Sequence, residues 1–149
     1  MDTIFFEAKV MWSMVDANMH LRHSAYADFA AQARLEMMAK MNFGPAELKE
    51  LLVGPILFRE ELIYLKEVRM DDTVQVTCAL SKCRADGSRW SFVQNIFRAD
   101  GVQAALINVD GAWIDMVKRK LASLPKDIVD QFLTMPKTED FILEEIPLK

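Results

Sequence analysis

Six polar residues fall within a few positions of one another: Asp16, Asn18, His20, Arg22, His23 and Ser24. They stand directly ahead of A-Y-A-D-F-A-A-Q-A-R-L-E-M-M-A-K-M, a run with no glycine or proline to stop a helix. Asp16 is the only carboxylate in the loop before that run. The first turn of a helix offers unpaired N–H groups and the positive end of its dipole. A carboxylate facing those donors pairs a base or nucleophile with an oxyanion hole, which is what acyl transfer to water requires. The backbone at His23 would polarise the acyl oxygen within reach of Asp16, and Ser24 could supply a further donor. This arrangement needs no metal and no cofactor. His20 and His23 are three apart and could share a helix face, but no histidine or cysteine nearby completes a metal set.

Spacing alone leaves other roles open. Asp16 also fits a helix cap or turn residue. His20 fits a hydrogen-bonding brace for the loop as well as a proton carrier. Tyr26 lies on the apolar helix face, so it reads as core first, with a hydroxyl that must find a partner. Arg34 fits a structural ion pair or a dimer contact. Lys118, Arg119 and Lys120 form a basic cluster that would either meet phosphates or simply be solvated.

Those residues must be held by the elements around them. Thr3 to Trp12 is rich in β-formers and reads as a strand. From about Arg22 to Met41, residues Tyr26, Phe29, Ala30, Ala33, Met37 and Met41 recur at spacings of three and four, a helical face. Pro45 is expected to end that helix, and a shorter one is expected over Ala46 to Leu52. Four strands follow, at Ile56 to Val68, Thr73 to Cys83, Arg89 to Ala99 and Val102 to Val117, with Asp-Gly turns at 86–87 and 100–101. Gly111 is expected as a bulge. A short helix is expected over Pro125 to Met135, and residues 136–149 are expected as an extended tail. Strand, long helix and four consecutive strands make an α+β layer, a five-stranded antiparallel sheet curled round one central helix. That is the hot-dog arrangement, expected here as a single domain over 1–149.

Composition narrows the setting. A chain of 149 residues with 52% hydrophobic and 27% charged residues has a globular balance. The net charge of −4, without a long basic run, gives no electrostatic footprint for nucleic acid. No apolar stretch approaches the ~20 residues needed to span a bilayer, and M-D-T-I-F-F-E-A-K does not read as a signal peptide. Cys78 and Cys83 form neither a C-x-x-C pair nor a disulfide framework. A cytoplasmic location with no membrane partner is the expectation.

The passage V-D-A-N-M-H-L-R-H-S-A-Y resembles the loop leading into the helix of the acyl-CoA thioesterases of the 4-hydroxybenzoyl-CoA thioesterase family. Trp12, Asp16, His20, Tyr26, Ala33 and Arg34 stand at matching positions. Gly54-Pro55-Ile56 resembles the family's turn into its second strand. The passage from Glu61 to Thr73 resembles its "Y-L-x-P-V-R-x-G-D" segment through Tyr64, Leu65, Val68, Arg69 and Asp72, and Ser88-Arg-Trp-Ser-Phe its fourth-strand start. The resemblance implies acyl-CoA thioester hydrolysis, with Asp16, His20 and His23 at the chemistry and Asn18, Arg22, Ser24, Tyr26 and Gly54 at the substrate. It also implies a homodimer or homotetramer with active sites between protomers.

Departures from the family pattern keep two other functions open. Met14 replaces one aspartate, Met19 replaces the glycine before the histidine, and Arg22-His23 replaces an asparagine pair. A hot-dog dehydratase or hydratase would pair Asp16 with His20 or His23. Against that reading, Ala31 and Gln32 stand where many relatives carry glutamates, and Glu36 is a turn too far along. A non-catalytic acyl-thioester-binding protein is the third possibility.

Overall fold

The structure is a computed structural model that describes residues 4–146. Thr3, at the start of the expected first strand, and 147–149, in the expected tail, lie outside the described residues. The first strand, β1, is Ile4–Lys9, and a single 3-10 turn at Trp12–Met14 follows it. The long helix, α1, spans His23–Lys40 and buries Ala25, Tyr26, Phe29, Ala30, Ala33, Arg34, Met37 and Met38 on one side. Alanines at three of those positions let its backbone lie close to the sheet.

Proline does not end α1. Asn42 takes a left-handed φ of 55°, while Phe43 N–H bonds the Met38 carbonyl at 2.8 Å and Asn42 N–H bonds the Ala39 carbonyl at 3.1 Å. That is the Schellman closure, with asparagine in the left-handed position. Pro45 instead opens α2, Pro45–Leu51, at a position where its missing N–H costs nothing.

The strands after α2 are β2 Val53–Tyr64, β3 Thr73–Thr77, β4 Ala79–Arg84, β5 Arg89–Arg98 and β6 Gln103–Asp115. They wrap α1, joined at the two expected Asp-Gly turns. The strand expected over Thr73 to Cys83 is divided at Cys78. Its first half pairs with the C-terminal part of β5 through Val74–Arg98 and Val76–Ile96. Its second half pairs with the N-terminal part of β5 through Leu80–Phe92 and Cys83–Trp90. β1 lies outside β3, and β6 lies on the other side of β5 with β2 beyond it.

A helix α3, Lys126–Phe132, packs Phe132 against Phe43, Phe92 and Trp113, with ring centroids 5.9 to 6.1 Å apart. The segment expected as a free extended tail is extended but not free. Lys137–Glu144 forms β7, parallel to β4, so the sheet has seven strands. Among the described residues no helix is long and apolar enough to cross a membrane.

Gly111 is not the bulge. The register shift lies on β2 between Leu57 and Arg59, so Phe58 is the extra residue, opposite Gly111 and Asp110. Gly111 is small for another reason. A Cβ there would lie 2.3 Å from the Trp90 ring and 2.5 Å from the Ile56 carbonyl oxygen.

Along β5 the inward positions are Trp90, Phe92, Gln94 and Ile96, all buried. Gln94, fully buried, accepts a bond from Arg34 Nη1 at 2.8 Å and donates to the Ala30 carbonyl at 2.9 Å. Arg34 itself is 9% exposed, with Glu60 at 3.9 Å as its carboxylate partner. Removing one member of such a buried set strands the others. Gln94→Leu is therefore expected to cost about 2–4 kcal/mol in urea unfolding. The double change Arg34→Met with Gln94→Leu should recover much of that loss, and equal costs for the single and double variants would exclude the coupling.

Candidate active site

The segment between the 3-10 turn and α1 is a tight loop closed on itself. Val15 and Leu21 form an antiparallel bridge, and Arg22 N–H bonds the Met14 carbonyl at 2.8 Å. Asp16 N–H bonds the His20 carbonyl at 2.9 Å, and Asp16 Oδ1 accepts the N–H groups of Asn18 at 2.8 Å and His20 at 3.2 Å. One carboxylate oxygen is thus committed to the turn, and Oδ2 takes no bond within it. The turn needs a left-handed residue, and Met19 supplies it with φ of 63°. This is the position where the resembling family has glycine.

Arg22 is the N-cap of α1, and it makes no side-chain capping bond. Its guanidinium turns back to the Ser13 carbonyl at 2.6 Å and to Ser24 Oγ at 3.0 Å. His23 and Ser24 are exposed, and no side chain caps the N–H groups that open α1. They are the donors an oxyanion would use. The Ser24 hydroxyl, by contrast, is occupied by Arg22.

A cleft of about 310 Å³ brings Asp16, His20, His23 and Tyr26 together with Tyr64 and Glu67. Tyr64 hydroxyl donates to the His23 carbonyl at 3.3 Å, and its ring meets Tyr26 edge-on with centroids 5.0 Å apart. Burial, then the neighbouring Tyr64 and Asp16, push the Tyr26 phenol above its ordinary value, so it stays neutral. His20 Nε2 bonds Glu67 at 2.8 Å, while His20 and Arg69 form a backbone bridge. The imidazole is thus a tie between the loop and the segment after β2. Arg69 in turn holds Glu67 through Nη2 at 2.6 Å and Nε at 3.1 Å.

Not every expected residue joins this cleft. Asn18 is exposed and contributes its backbone N–H to the turn. Gly54 sits at the opposite end of β2 from Tyr64, about 30 Å away along the strand. Within one chain it lines a different hollow, with Leu52 and Met116 beside it. Tyr64 and Glu67 were not among the residues singled out for the site. In the sequence Tyr64 stands only within the Glu61-to-Thr73 resemblance, and an aromatic residue just ahead of Lys66-Glu67 at a strand end was the available signal. On α1, Glu36 is tied to Gln32 at 2.9 Å, on the helix flank rather than in the cleft.

A loop carboxylate and the start of the long helix share one cleft beside a curled antiparallel sheet, the hot-dog arrangement. The model of the thioesterase-like superfamily matches residues 10–132, and the chain belongs to that superfamily. An acyl-CoA thioester hydrolase of Escherichia coli, YbgC, is 27% identical over 134 residues, covering 89% of this chain and 98% of that one. Among solved structures, a DHNA-CoA thioesterase from Staphylococcus aureus is 19% identical with a TM-score of 0.79, covering 87% of each chain. A second S. aureus protein, solved in complex with CoA, has a TM-score of 0.83 at 17% identity and covers 100% of this chain and 98% of its own. At these identities the structural likenesses bear on the fold.

The loop brace has a pH dependence of known sign. The Arg69 hydrogen bond, then the charges of Arg69 and His20, hold the Glu67 carboxyl below its ordinary value of 4.5. A group lowered on folding contributes stability above its unfolded value, and that contribution fades as pH falls through the folded one. Glu67→Gln should therefore be less stable than wild type at neutral pH, with the gap closing in acid. Urea melts at a series of pH values would show it, and a gap that widened below pH 4.5 would contradict the brace.

Proposed function

We propose that the protein hydrolyses acyl-CoA thioesters to the free acid and CoA. The observation that carries the reading is the cleft itself, where the Asp16 carboxylate shares one concave surface with the uncapped start of α1. Membership of the thioesterase-like superfamily and the likeness to a bacterial acyl-CoA thioester hydrolase support it.

In the general-base form, Asp16 takes a proton from water while the oxygen adds to the thioester carbonyl. The oxyanion accepts the N–H groups at the start of α1, which bind it more strongly than the ground-state carbonyl. Collapse breaks the C–S bond, and the thiolate of CoA leaves with the proton returned from Asp16. In the nucleophilic form the carboxylate itself adds to the carbonyl and expels the CoA thiolate, and water then hydrolyses the acyl-aspartyl anhydride to the free acid and the Asp16 carboxylate. Tyr26 and Tyr64 wall the cleft, and His20 acts by holding the loop to Glu67.

The site is proposed to be completed by a second copy of the chain. Among the described residues β2, twelve residues long, pairs only with β6, which leaves its other edge open. An edge of that length invites pairing. Leu57, Phe58, Ile63, Tyr64 and Leu65 are exposed along and just past it. Antiparallel pairing of two such strands across a two-fold axis would lay the Gly54 end of one beside the Tyr64 end of the other. That would return Gly54 to the substrate, in the partner's cleft.

Asp16→Asn keeps the turn's acceptor and removes the base, so a loss of about 10²-fold or more in kcat/KM is expected. Thiol release from a panel of acyl-CoAs measures it, and activity within a few-fold of wild type would exclude Asp16. His20→Ala should cost less than Asp16→Asn. An equal loss would make His20 a proton carrier and favour dehydratase-like chemistry.

Light scattering should give a mass of at least twice 17.1 kDa. A monomer that still turns over acyl-CoA would end the shared-site proposal.

A further inference from the structure

We infer that the acyl group this protein takes is a straight, unsubstituted hydrocarbon chain of about eight to ten carbons, with Trp90 as the floor that limits its length. The inference rests on the hydrolase reading and on the proposed pairing of β2. An apolar hollow of about 250 Å³ lies between the middle of α1 and the sheet, apart from the Asp16 cleft. Ala31, Leu35 and Met38 wall it from the helix, and Pro55, Leu57 and Trp90 from the strands. Leu57 pairs with Gly111 and Gly111 with Trp90, so the three stand in one row across β2, β6 and β5. Gly111 brings no side chain, and the Trp90 ring lies over it, 2.3 Å from where a Cβ would stand. Trp90, 4% exposed, closes the hollow on that side.

The mouth is at the other end of that row. Pro55 and Leu57 share the hollow with α1 and yet are exposed, because β2 has a free edge. Within one chain Ala31 lies about 12 Å along α1 from His23, too far for a short acyl group to bridge. In the proposed dimer the Gly54 end of β2 stands beside the partner's cleft, and Pro55 and Leu57 come with it. The mouth of each hollow would then open into the cleft of the other chain, in line with a thioester held at its Asp16.

The wall decides the chemistry of the guest. Arg34 lies in it, but its Nη1 is bonded to Gln94 at 2.8 Å and its Nη2 faces Glu60 at 3.9 Å. The indole N–H of Trp90 is sealed from solvent and presents no donor to the hollow. A phenol or hydroxyl pushed in there would lose its water without gaining a partner. A hydrocarbon chain has nothing to lose and gains about three- to four-fold in affinity for each methylene buried. A cavity of roughly 150 Å³ holds a benzene ring, so this one holds about eight chain carbons, with the first one or two left in the cleft beside the carbonyl. A ring bonded directly to the carbonyl would stop at the mouth.

The test is kcat/KM over saturated acyl-CoAs from acetyl to palmitoyl, with 4-hydroxybenzoyl-CoA beside them. It should climb roughly three-fold per methylene, peak at about eight to ten carbons and fall beyond. Ala31→Phe fills the hollow from an exposed helix position, so it should melt as wild type and lower the octanoyl-to-acetyl ratio by ~10-fold or more. Trp90→Phe, with a smaller ring over Gly111, should move the peak to longer chains. Co-expression of Ala31→Phe with Asp16→Asn tests the partner's share. Half the dimers are then mixed, each with one intact site, so octanoyl-CoA turnover should return to about a quarter of wild type. A flat profile, a preference for 4-hydroxybenzoyl-CoA, an unchanged ratio in Ala31→Phe, or no recovery in the mixture overturns the inference. If no acyl-CoA is hydrolysed, the hydrolase reading fails by itself. Calorimetric binding of octanoyl-CoA then decides: tighter than acetyl-CoA and weakened by Ala31→Phe supports the hollow, and equal binding of the two overturns it.

Discussion

A single buried amide fixes where the long helix lies. Gln94 stands in the middle of an otherwise apolar inward row, between Phe92 and Ile96, and bonds Ala30 and Arg34 on α1 at once. Burying a guanidinium is costly unless its partners are in place. A slide or rotation of α1 would break the bonds of Gln94 to Ala30 and Arg34 and part Arg34 from Glu60. A helix is a stiff rod with about 1.5 Å rise per residue, so locking it at Ala30 sets the position of His23 roughly 10 Å away. The placement of the N–H groups that open α1 is thus decided at the centre of the sheet.

The carboxylate that faces them is placed by a second constraint. The loop from Val15 to Leu21 must reverse direction over very few residues, and it does so through a left-handed Met19. A non-glycine residue there costs roughly 1–2 kcal/mol. The loop holds because its ends are bonded into the fold: Leu21 N–H to the Val68 carbonyl at 2.6 Å, Arg22 N–H to Met14, and His20 to Glu67. The same bonds aim one Asp16 oxygen into the turn and leave the other without a bond there. Helix and loop are therefore each tied to the sheet side by their own bonds, the helix at Gln94 and the loop at Val68 and Glu67, and they join at Arg22.

The order of elements was legible in the sequence because it rests on local signals. The three-and-four spacing marked α1 to within a residue at each end, and the Asp-Gly pairs marked both hairpins. What was not legible depends on contacts distant along the chain. Nothing in Val76-Thr77-Cys78-Ala79 breaks a strand locally; the division arises because β5 is shared by β3 and β4. The parallel pairing of β7 with β4 likewise has no short-range signature, since the paired residues, from Leu80–Lys137 to Arg84–Glu144, are about 60 apart in the chain. Gly111 stands out in the sequence by its type, but its reason is the Trp90 ring on a neighbouring strand. Gln94 could have been found, as a polar residue at an inward position of a two-residue period. For the site, the Asp16 loop and the start of α1 were readable as neighbours in sequence. Tyr64 and Glu67 reach it only through the fold.

The open edge of β2 joins these points. In one protomer the cleft has two walls, the Asp16 loop with α1 on one side and Tyr64 to Glu67 on the other, and a wide opening between them. Asp16 is exposed there, in a solvent that would compete for the same N–H groups. Electrostatic stabilisation of an oxyanion is worth most where water is excluded. The residues that could exclude it from the same chain lie at the far end of β2, too distant to move. In the proposed dimer, a two-fold axis near the middle of that strand would bring the equivalent residues of a second chain to the opening without any change in either fold. The exposed Leu57, Phe58 and Ile63 lie along the strand where such an axis would pass. An edge left unpaired in one chain and a cleft left unroofed in one chain are thus one geometric problem, and the proposed pairing would answer both.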